Sequence, residues 1–209
     1  EVVEKEFESG ELFEKVSPIT KELLRFWFCE PFISQRQFNF HKGQKQSILN
    51  IIYLHEVLKI NNVLEIYEQV APDLLLESDL FGAKETRNSL KESRYDLPKY
   101  LVKMATGTGK TWVMHALLIW QILNAKNEEE KSGRFTKNFL IVAPGLIVYD
   151  RLLDAYKGRL SENGDGRDFS TNDFVRNKDL FVPENYREEV FSFIQNNTVS
   201  KEEGIGSKI

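Results

Sequence analysis

The stretch at residues 103–112, KMATGTGKTW, decides the fold that this sequence predicts. Its glycines, Gly107 and Gly109, allow successive backbone N–H groups to turn toward one anion, and the start of a helix adds a favourable dipole. Lys110 can reach the β- and γ-phosphates of a nucleotide, and the hydroxyl of Thr111 can ligate Mg²⁺. The stretch therefore predicts a phosphate-binding loop for a nucleoside triphosphate.

The loop departs at one position from the pattern G-x-x-x-x-G-K-[ST], because Met104 stands where the first glycine is expected. That position is the end of the preceding strand, whereas the phosphate-facing part, which includes Thr106 and Thr108, is complete. A glycine-rich turn that binds nothing is the alternative interpretation. The lysine and threonine, both in register, favour nucleotide binding.

The segments around the loop alternate between strand and helix patterns. LPKYLVKM at 97–104 is rich in strand formers, WVMHALLIWQIL at 112–123 indicates a buried helix, and FLIVAP at 139–144 is typical of a strand buried on both faces. LIVYDRLLDAY at 146–156 is amphipathic. Strand, glycine turn, helix, strand and helix in this order predict an α/β fold with a parallel sheet flanked by helices.

Helical patterns also occur toward both ends of the chain. Pro18 suits the first position of a helix, and residues 44–60 repeat apolar side chains at helical spacing. Pro183 predicts the start of another helix. We expect an acidic, helical N-terminal extension at 1–35, followed by an ATP-binding domain at 36–209 with an insertion at 63–97.

The amino-acid composition of the chain narrows the classes of function that it can have. A formal charge of −4 argues against a broad basic surface for nucleic acid, so any DNA contact is expected to be local. No apolar run approaches the roughly 20 residues that cross a bilayer, which predicts a cytoplasmic protein without a membrane partner. Cys29 lacks a partner for a disulfide, His115 is expected in the core, and His55 lacks a zinc-protease pattern.

MATGTGKT, the apolar helix after it and LIVAPGLIVYDRL resemble motifs I and Ia of superfamily 2 helicases and translocases. Among these proteins the sequence is most similar to the restriction subunit of type III restriction enzymes. FNFHKGQKQSILNIIYLHEVL, at 38–58, is similar to the family's glutamine motif. The resemblance implies a partial RecA-like P-loop ATPase lobe that uses ATP and Mg²⁺.

The resemblance also implies how the base of the nucleotide is recognised. Gln44 would form paired hydrogen bonds with the adenine edge, and an upstream aromatic side chain would stack on the base. Trp27 lies at the spacing seen in DEAD-box relatives, with Phe38 and Phe40 as alternatives. A solvated position for Gln44 near a helix start is the other interpretation of that residue.

Motif Ia implies a contact with nucleic acid. The turn at Pro144 and Gly145 and the side chain of Arg151 would hold the phosphate backbone of one strand. An exposed helical charge beside Asp150 and Asp154 is the alternative for Arg151. Double-stranded DNA and a methyltransferase subunit are the implied partners.

The acidic pair and the arginines that complete ATP hydrolysis in this superfamily are not found after residue 111. We therefore expect part of a larger protein, an ATP-dependent DNA translocase and restriction endonuclease, whose 209-residue part binds nucleotide without turning it over. A superfamily 2 helicase without a nuclease and a non-hydrolysing regulatory module are the alternatives.

Overall fold

The computed structural model describes residues 1–73, 88–92, 95–127, 133–161, 164, 166–201 and 203. The elements are, in chain order, α1 (Val2–Ser9), α2 (Leu12–Lys15), α3 (Pro18–Phe28), α4 (Lys42–Ile52), α5 (Val63–Val70), α6 (Lys110–Asn127), α7 (Leu146–Lys157), β1 (Arg159–Leu160), β2 (Arg167–Asp168), α8 (Asp173–Arg176), α9 (Lys178–Phe181) and α10 (Arg187–Asn197). A π-helical turn, Tyr53–Val57, continues α4. Short 3₁₀ turns lie at Phe169–Thr171 and Glu184–Tyr186. None of these described helices is long and apolar enough to span a bilayer.

The chain divides into two compact units. The first unit comprises Glu1–Ser17 and His41–Val113, and the second comprises Pro18–Phe40 and Met114–Ile209. The predicted boundary after residue 35 stays a prediction. So does the predicted insertion at 63–97, part of which lies outside the described residues.

The first unit packs α1 against α4. Phe7 is buried, and the ammonium of Lys45 lies 4.2 Å from the centroid of its ring. Beyond α4, the hydroxyl of Tyr53 donates to Glu6 at 3.1 Å, and Glu56 accepts a hydrogen bond from the Ser17 backbone at 2.8 Å. The predicted helix over 44–60 is thus confirmed up to its π-helical end, and its C-terminal half is tied to the N-terminal helices.

The second unit has an aromatic and aliphatic core around α3 and α6. Trp27 is fully buried and donates its indole N–H to the carbonyl of Phe181 at 3.0 Å. The hydroxyl of Thr20 accepts from both Trp120, at 2.9 Å, and Asn124, at 3.0 Å. These bonds satisfy polar atoms that burial would otherwise leave unpaired. The helices predicted to begin at Pro18 and to occupy 112–123 and 146–156 are confirmed.

The predicted parallel sheet is wrong. Within the described residues the only sheet is the antiparallel pair β1–β2, in which Arg159 lies opposite Asp168. The segments 97–104 and 139–144 form no ladder, and Leu101 and Leu140 are 90% and 89% exposed. An apolar run becomes a buried strand only where neighbouring strands satisfy its backbone and elements cover its faces, and neither segment has a neighbouring strand among the described residues. The predicted α/β class and βαβ crossover are therefore also wrong, and the fold of the described residues is mostly helical.

His115 lies in the core of the second unit, as expected. Its ring packs against Tyr156, Phe174 and Phe181, and neither ring nitrogen has a hydrogen-bond partner within the described residues. Burial lowers the pKa of His115 from 6.5 to about 3. The neutral imidazole is therefore the form that the fold requires.

We expect His115 to make the protein less stable in mild acid. Below pH 6.5 the unfolded chain binds a proton that the folded chain binds only near pH 3, so stability falls as pH falls through this window. The loss between pH 7 and pH 5 should be about 2 kcal/mol, since the slope approaches about 1.4 kcal/mol per pH unit once the unfolded histidine is protonated. Urea unfolding at pH 7 and pH 5 measures it. His115→Leu, which cannot titrate, should remove this part of the pH dependence, and an unchanged dependence would contradict the assignment.

Candidate phosphate-binding site

The predicted phosphate-binding loop lies in the first unit, directly before α6. Gly107 and Gly109 have φ values of +80° and +73°, a region that other residues rarely adopt. Within the described residues, the backbone N–H groups of Gly107, Gly109, Lys110 and Thr111 make no hydrogen bond. Open N–H groups at the start of a long helix are the arrangement that binds anions.

The side chain of Lys110 contacts the first residues of this loop. Its ammonium donates to the carbonyls of Met104 at 3.1 Å and Ala105 at 3.0 Å. The Ala105 carbonyl also accepts from the hydroxyl of Thr108 at 2.6 Å. Lys110 is exposed and forms no ion pair with any described residue. Its charge is therefore balanced only by carbonyl dipoles, which a phosphate oxygen can replace.

The start of α4 contacts the outside of the loop. His41 is the N-cap of α4, and the amide oxygen of Gln44 accepts from the His41 backbone at 3.0 Å, which completes a capping box. The Gln44 amide nitrogen donates to the carbonyl of Gly109 at 3.2 Å, and Nε2 of His41 lies 2.8 Å from the carbonyl oxygen of Thr108. Gln44 is only 3% exposed, so the interpretation as a solvated helix residue is wrong.

A family model described as "Type III restriction enzyme, res subunit" matches residues 37–204, which is most of the chain. The chain belongs to this family. The matched region includes the predicted glutamine motif, the predicted phosphate-binding loop and α7, and it is the superfamily 2 helicase-like part of the res subunit. Members of the family are ATP-dependent hydrolases, and membership implies nucleotide binding. Searches against curated proteins and against solved structures found no match.

The aromatic residue assigned to base stacking lies in the second unit. Trp27 has no exposed surface, because its ring packs edge-on against Phe28 and Phe40. Stacking on adenine would require Trp27 to leave this packing. Of the two alternatives, Phe40 is 9% exposed, whereas Phe38 is 61% exposed and offers a ring surface. The stacking residue of this res-subunit chain stays a prediction.

The residues predicted to contact DNA also lie in the second unit. Pro144 and Gly145 are exposed, and Gly145 is the N-cap of α7, which has no side-chain cap. Arg151 is exposed, and its positive charge acts on the carboxyl group of Asp173, where it opposes the rise in pKa that burial causes. One of its acidic neighbours, Asp154, is instead paired with Arg167 at 2.6 Å. Phosphate binding by Arg151 stays a prediction.

Thr111 is the residue predicted to ligate Mg²⁺. It is the second residue of α6, and its side chain is exposed. Among the described residues no group of three His, Cys, Asp or Glu side chains could hold a metal ion. Mg²⁺ in nucleotide sites commonly takes one or two protein oxygens and completes its shell with phosphates and water, so a single hydroxyl fits a nucleotide-borne ion.

Sequence reasoning missed one residue at this site. His41 was assigned no role, although it contacts the loop across 67 positions of the sequence. The capping-box pattern expects Ser or Thr three residues before a glutamine, so a histidine there gives no such signal, and no sequence pattern indicates which loop the imidazole reaches. The contact was found only in the tertiary structure.

Proposed function

We propose that this chain supplies the ATP-binding part of a DNA-dependent ATPase or translocase, the endonuclease subunit of a type III-like restriction system. The observation that carries the proposal is the loop in which four backbone N–H groups are open beside Lys110, whose ammonium is bound only to two backbone carbonyls among the described residues. Such a loop binds the phosphates of a nucleotide and needs no rearrangement of the backbone. Family membership supports the choice of ATP hydrolysis over another use of the phosphates.

The roles of the loop residues follow from their placement. Thr106, Gly107, Thr108 and Gly109 form the backbone that surrounds the phosphates, and Lys110 exchanges its two carbonyl contacts for β- and γ-phosphate oxygens. The Thr111 hydroxyl would hold the Mg²⁺ that accompanies ATP, and this ion would supply charge neutralisation during phosphoryl transfer. Lys110 and Thr111 are thus the proposed catalytic residues.

Double-stranded DNA is the proposed macromolecular ligand, with a methyltransferase subunit as the proposed protein partner. Support comes from family membership and from the exposed turn at Pro144 and Gly145, where α7 begins without a side-chain cap. Uncapped N–H groups bind phosphate, and the Arg151 guanidinium can add two parallel hydrogen bonds. The overall charge of −4 confines the interaction to such local contacts.

Gln44 is proposed to read the adenine edge while it supports the loop. An amide has two donor hydrogens and two acceptor lone pairs, and the bonds to Gly109 and His41 use one of each. One N–H and one lone pair remain for the base, and because Gln44 is only 3% exposed, the base reaches them only if neighbouring groups move. A glutamine with both functions predicts two separable effects of its removal.

We expect Gln44→Ala to lower the preference for ATP over GTP and also to weaken inorganic tripolyphosphate binding about 2- to 10-fold, because the Gly109 carbonyl loses a hydrogen bond worth about 0.5–1.5 kcal/mol. Gln46→Ala is the matched control, since the amide of Gln46 donates to Asn50 on the same helix. Competition titrations with MgATP, MgGTP and tripolyphosphate measure both effects.

The outcomes separate the parts of the proposal. Tripolyphosphate that fails to displace ATP from the wild-type protein would contradict phosphate binding by the loop. An unchanged preference for ATP in Gln44→Ala would move base recognition to another residue. Unchanged tripolyphosphate affinity would show that the bond from Gln44 to Gly109 has no effect on the loop.

A further inference from the structure

The imidazole of His41 connects the start of α4 with the phosphate-binding loop, and both of its nitrogens are engaged. Nδ1 lies 3.1 Å from the backbone nitrogen of Gly43 and 3.4 Å from that of Gln44. Nε2 lies 2.8 Å from the carbonyl oxygen of Thr108. All of these residues belong to the first unit.

The partners determine the protonation of this ring. Two N–H donors point at Nδ1, so Nδ1 must accept and carries no proton. The neutral imidazole then carries its one proton on Nε2, which donates to the carbonyl of Thr108. Only this tautomer satisfies all three contacts of His41.

The contact with Thr108 orients a peptide group of the loop. In a trans peptide the carbonyl of one residue and the N–H of the next point in opposite directions. Because His41 holds the Thr108 carbonyl from the side of α4, the N–H of Gly109 points away from α4. The next peptide is held mainly by α6, because the Gly109 carbonyl accepts from the backbone N–H groups of Trp112 and Val113 as well as from Gln44. The N–H of Gly109 is among the groups left open for an anion.

The neighbourhood of the ring leaves little freedom. A Cβ at Gly43 would lie 3.2 Å from Cε1 and 3.4 Å from Nδ1 of His41, so glycine at this position makes room for the imidazole. The ring is thus held by a close backbone on one side and by the loop on the other.

We propose that His41 is a positioning residue that orients the Thr108–Gly109 peptide for phosphate binding. The proposal rests on the proposed function of the loop as a nucleotide-phosphate site. His41 does not contact the phosphates itself. It acts through the direction of the Gly109 N–H. The bond that holds Gln44 comes from the backbone N–H at position 41, so it does not depend on the imidazole.

Two substitutions separate the roles of the two ring nitrogens of His41. Asparagine is a good N-cap whose side-chain oxygen replaces Nδ1, but it is too short to reach Thr108, so His41→Asn removes only the loop contact. The amide nitrogen of glutamine replaces Nε2, so His41→Gln keeps a donor for Thr108 and loses the cap. We expect His41→Asn to bind tripolyphosphate and ATP about 3- to 10-fold more weakly with a near-native urea midpoint, since one hydrogen bond is lost. His41→Gln should show the reverse, with a lower midpoint and near-native affinity.

A nucleotide-free measurement tests the contact independently. Nitrogen-15 NMR of the imidazole in the full chain should show His41 with Nδ1 unprotonated and Nε2 protonated. A mixture of tautomers, or the Nδ1–H form, overturns the assignment whatever the protein binds.

Failure of the positioning role and failure of the proposed nucleotide site give different results. Wild-type protein that binds both ligands while His41→Asn binds them equally tightly overturns the positioning role and leaves the nucleotide site intact. Affinity and midpoint that fall together in both variants also overturn it, because His41 would then act only through folding. Wild-type protein that binds neither ligand overturns the proposed function and the positioning role with it.

Discussion

Lys110→Ala is expected to weaken ATP binding by about 2–3 kcal/mol, the range found when one partner of a close charge pair is truncated. Lys110 is the lysine at the end of the loop, and its ammonium is held by the carbonyls of Met104 and Ala105. These neutral acceptors give way to phosphate oxygens at little cost, so most of the new charge interaction contributes to affinity. Titration calorimetry with MgATP measures the loss.

Lys103→Ala is the matched control. Lys103 is an exposed lysine at the entrance to the same loop, and it makes no hydrogen bond or ion pair with any described residue. Its removal changes the net charge by the same amount without removing a loop contact. Equal losses in Lys103→Ala and Lys110→Ala would show a general charge effect, and no loss in Lys110→Ala would remove the phosphate-binding assignment.

Gly109→Ala is expected to lower the free energy of unfolding by about 2–4 kcal/mol and to weaken tripolyphosphate binding. A φ of +73° costs a residue with a Cβ about 1–2 kcal/mol. The new Cβ would also lie 2.3 Å from the amide nitrogen of Gln44, which must move and give up hydrogen bonds worth about 1 kcal/mol each. Urea unfolding and competition titration measure the two effects.

Gly107→Ala separates the cost of backbone strain from the cost of the steric clash with Gln44. Gly107 has a similar φ of +80°, but a Cβ there meets nothing within 4 Å, so only the strain should appear. Adding Gln44→Ala should relieve part of the cost of Gly109→Ala and none of the cost of Gly107→Ala, because only contacting residues show coupling in a double-mutant cycle. Additive effects in both cycles would contradict the contact between Gln44 and the loop.

The helices of this chain were predictable because their signals are local. Pro18 marks the start of α3, and apolar spacing of three and four residues marks α6 and α7. The glycines of the loop were predictable for the same reason, since the positive φ at Gly107 and Gly109 requires residues without a side chain.

The predicted sheet failed because strand formation is not local. FLIVAP has the composition of a buried strand, yet Val142 within it is 78% exposed and the segment has no ladder partner among the described residues. Composition describes what a segment could bury. It does not show whether another segment lies alongside to satisfy its N–H and C=O groups.

The sequence by itself determined the loop, its lysine and threonine, the helix after it and the family to which the chain is similar, because each depends on residues close together in the chain. Only the tertiary structure decided which side chains hold the loop from outside. His41 reaches Thr108 across 67 positions and Gln44 reaches Gly109 across 65. Such contacts depend on how α4 packs beside the loop, and no pattern of spacing within either segment specifies the distance between them.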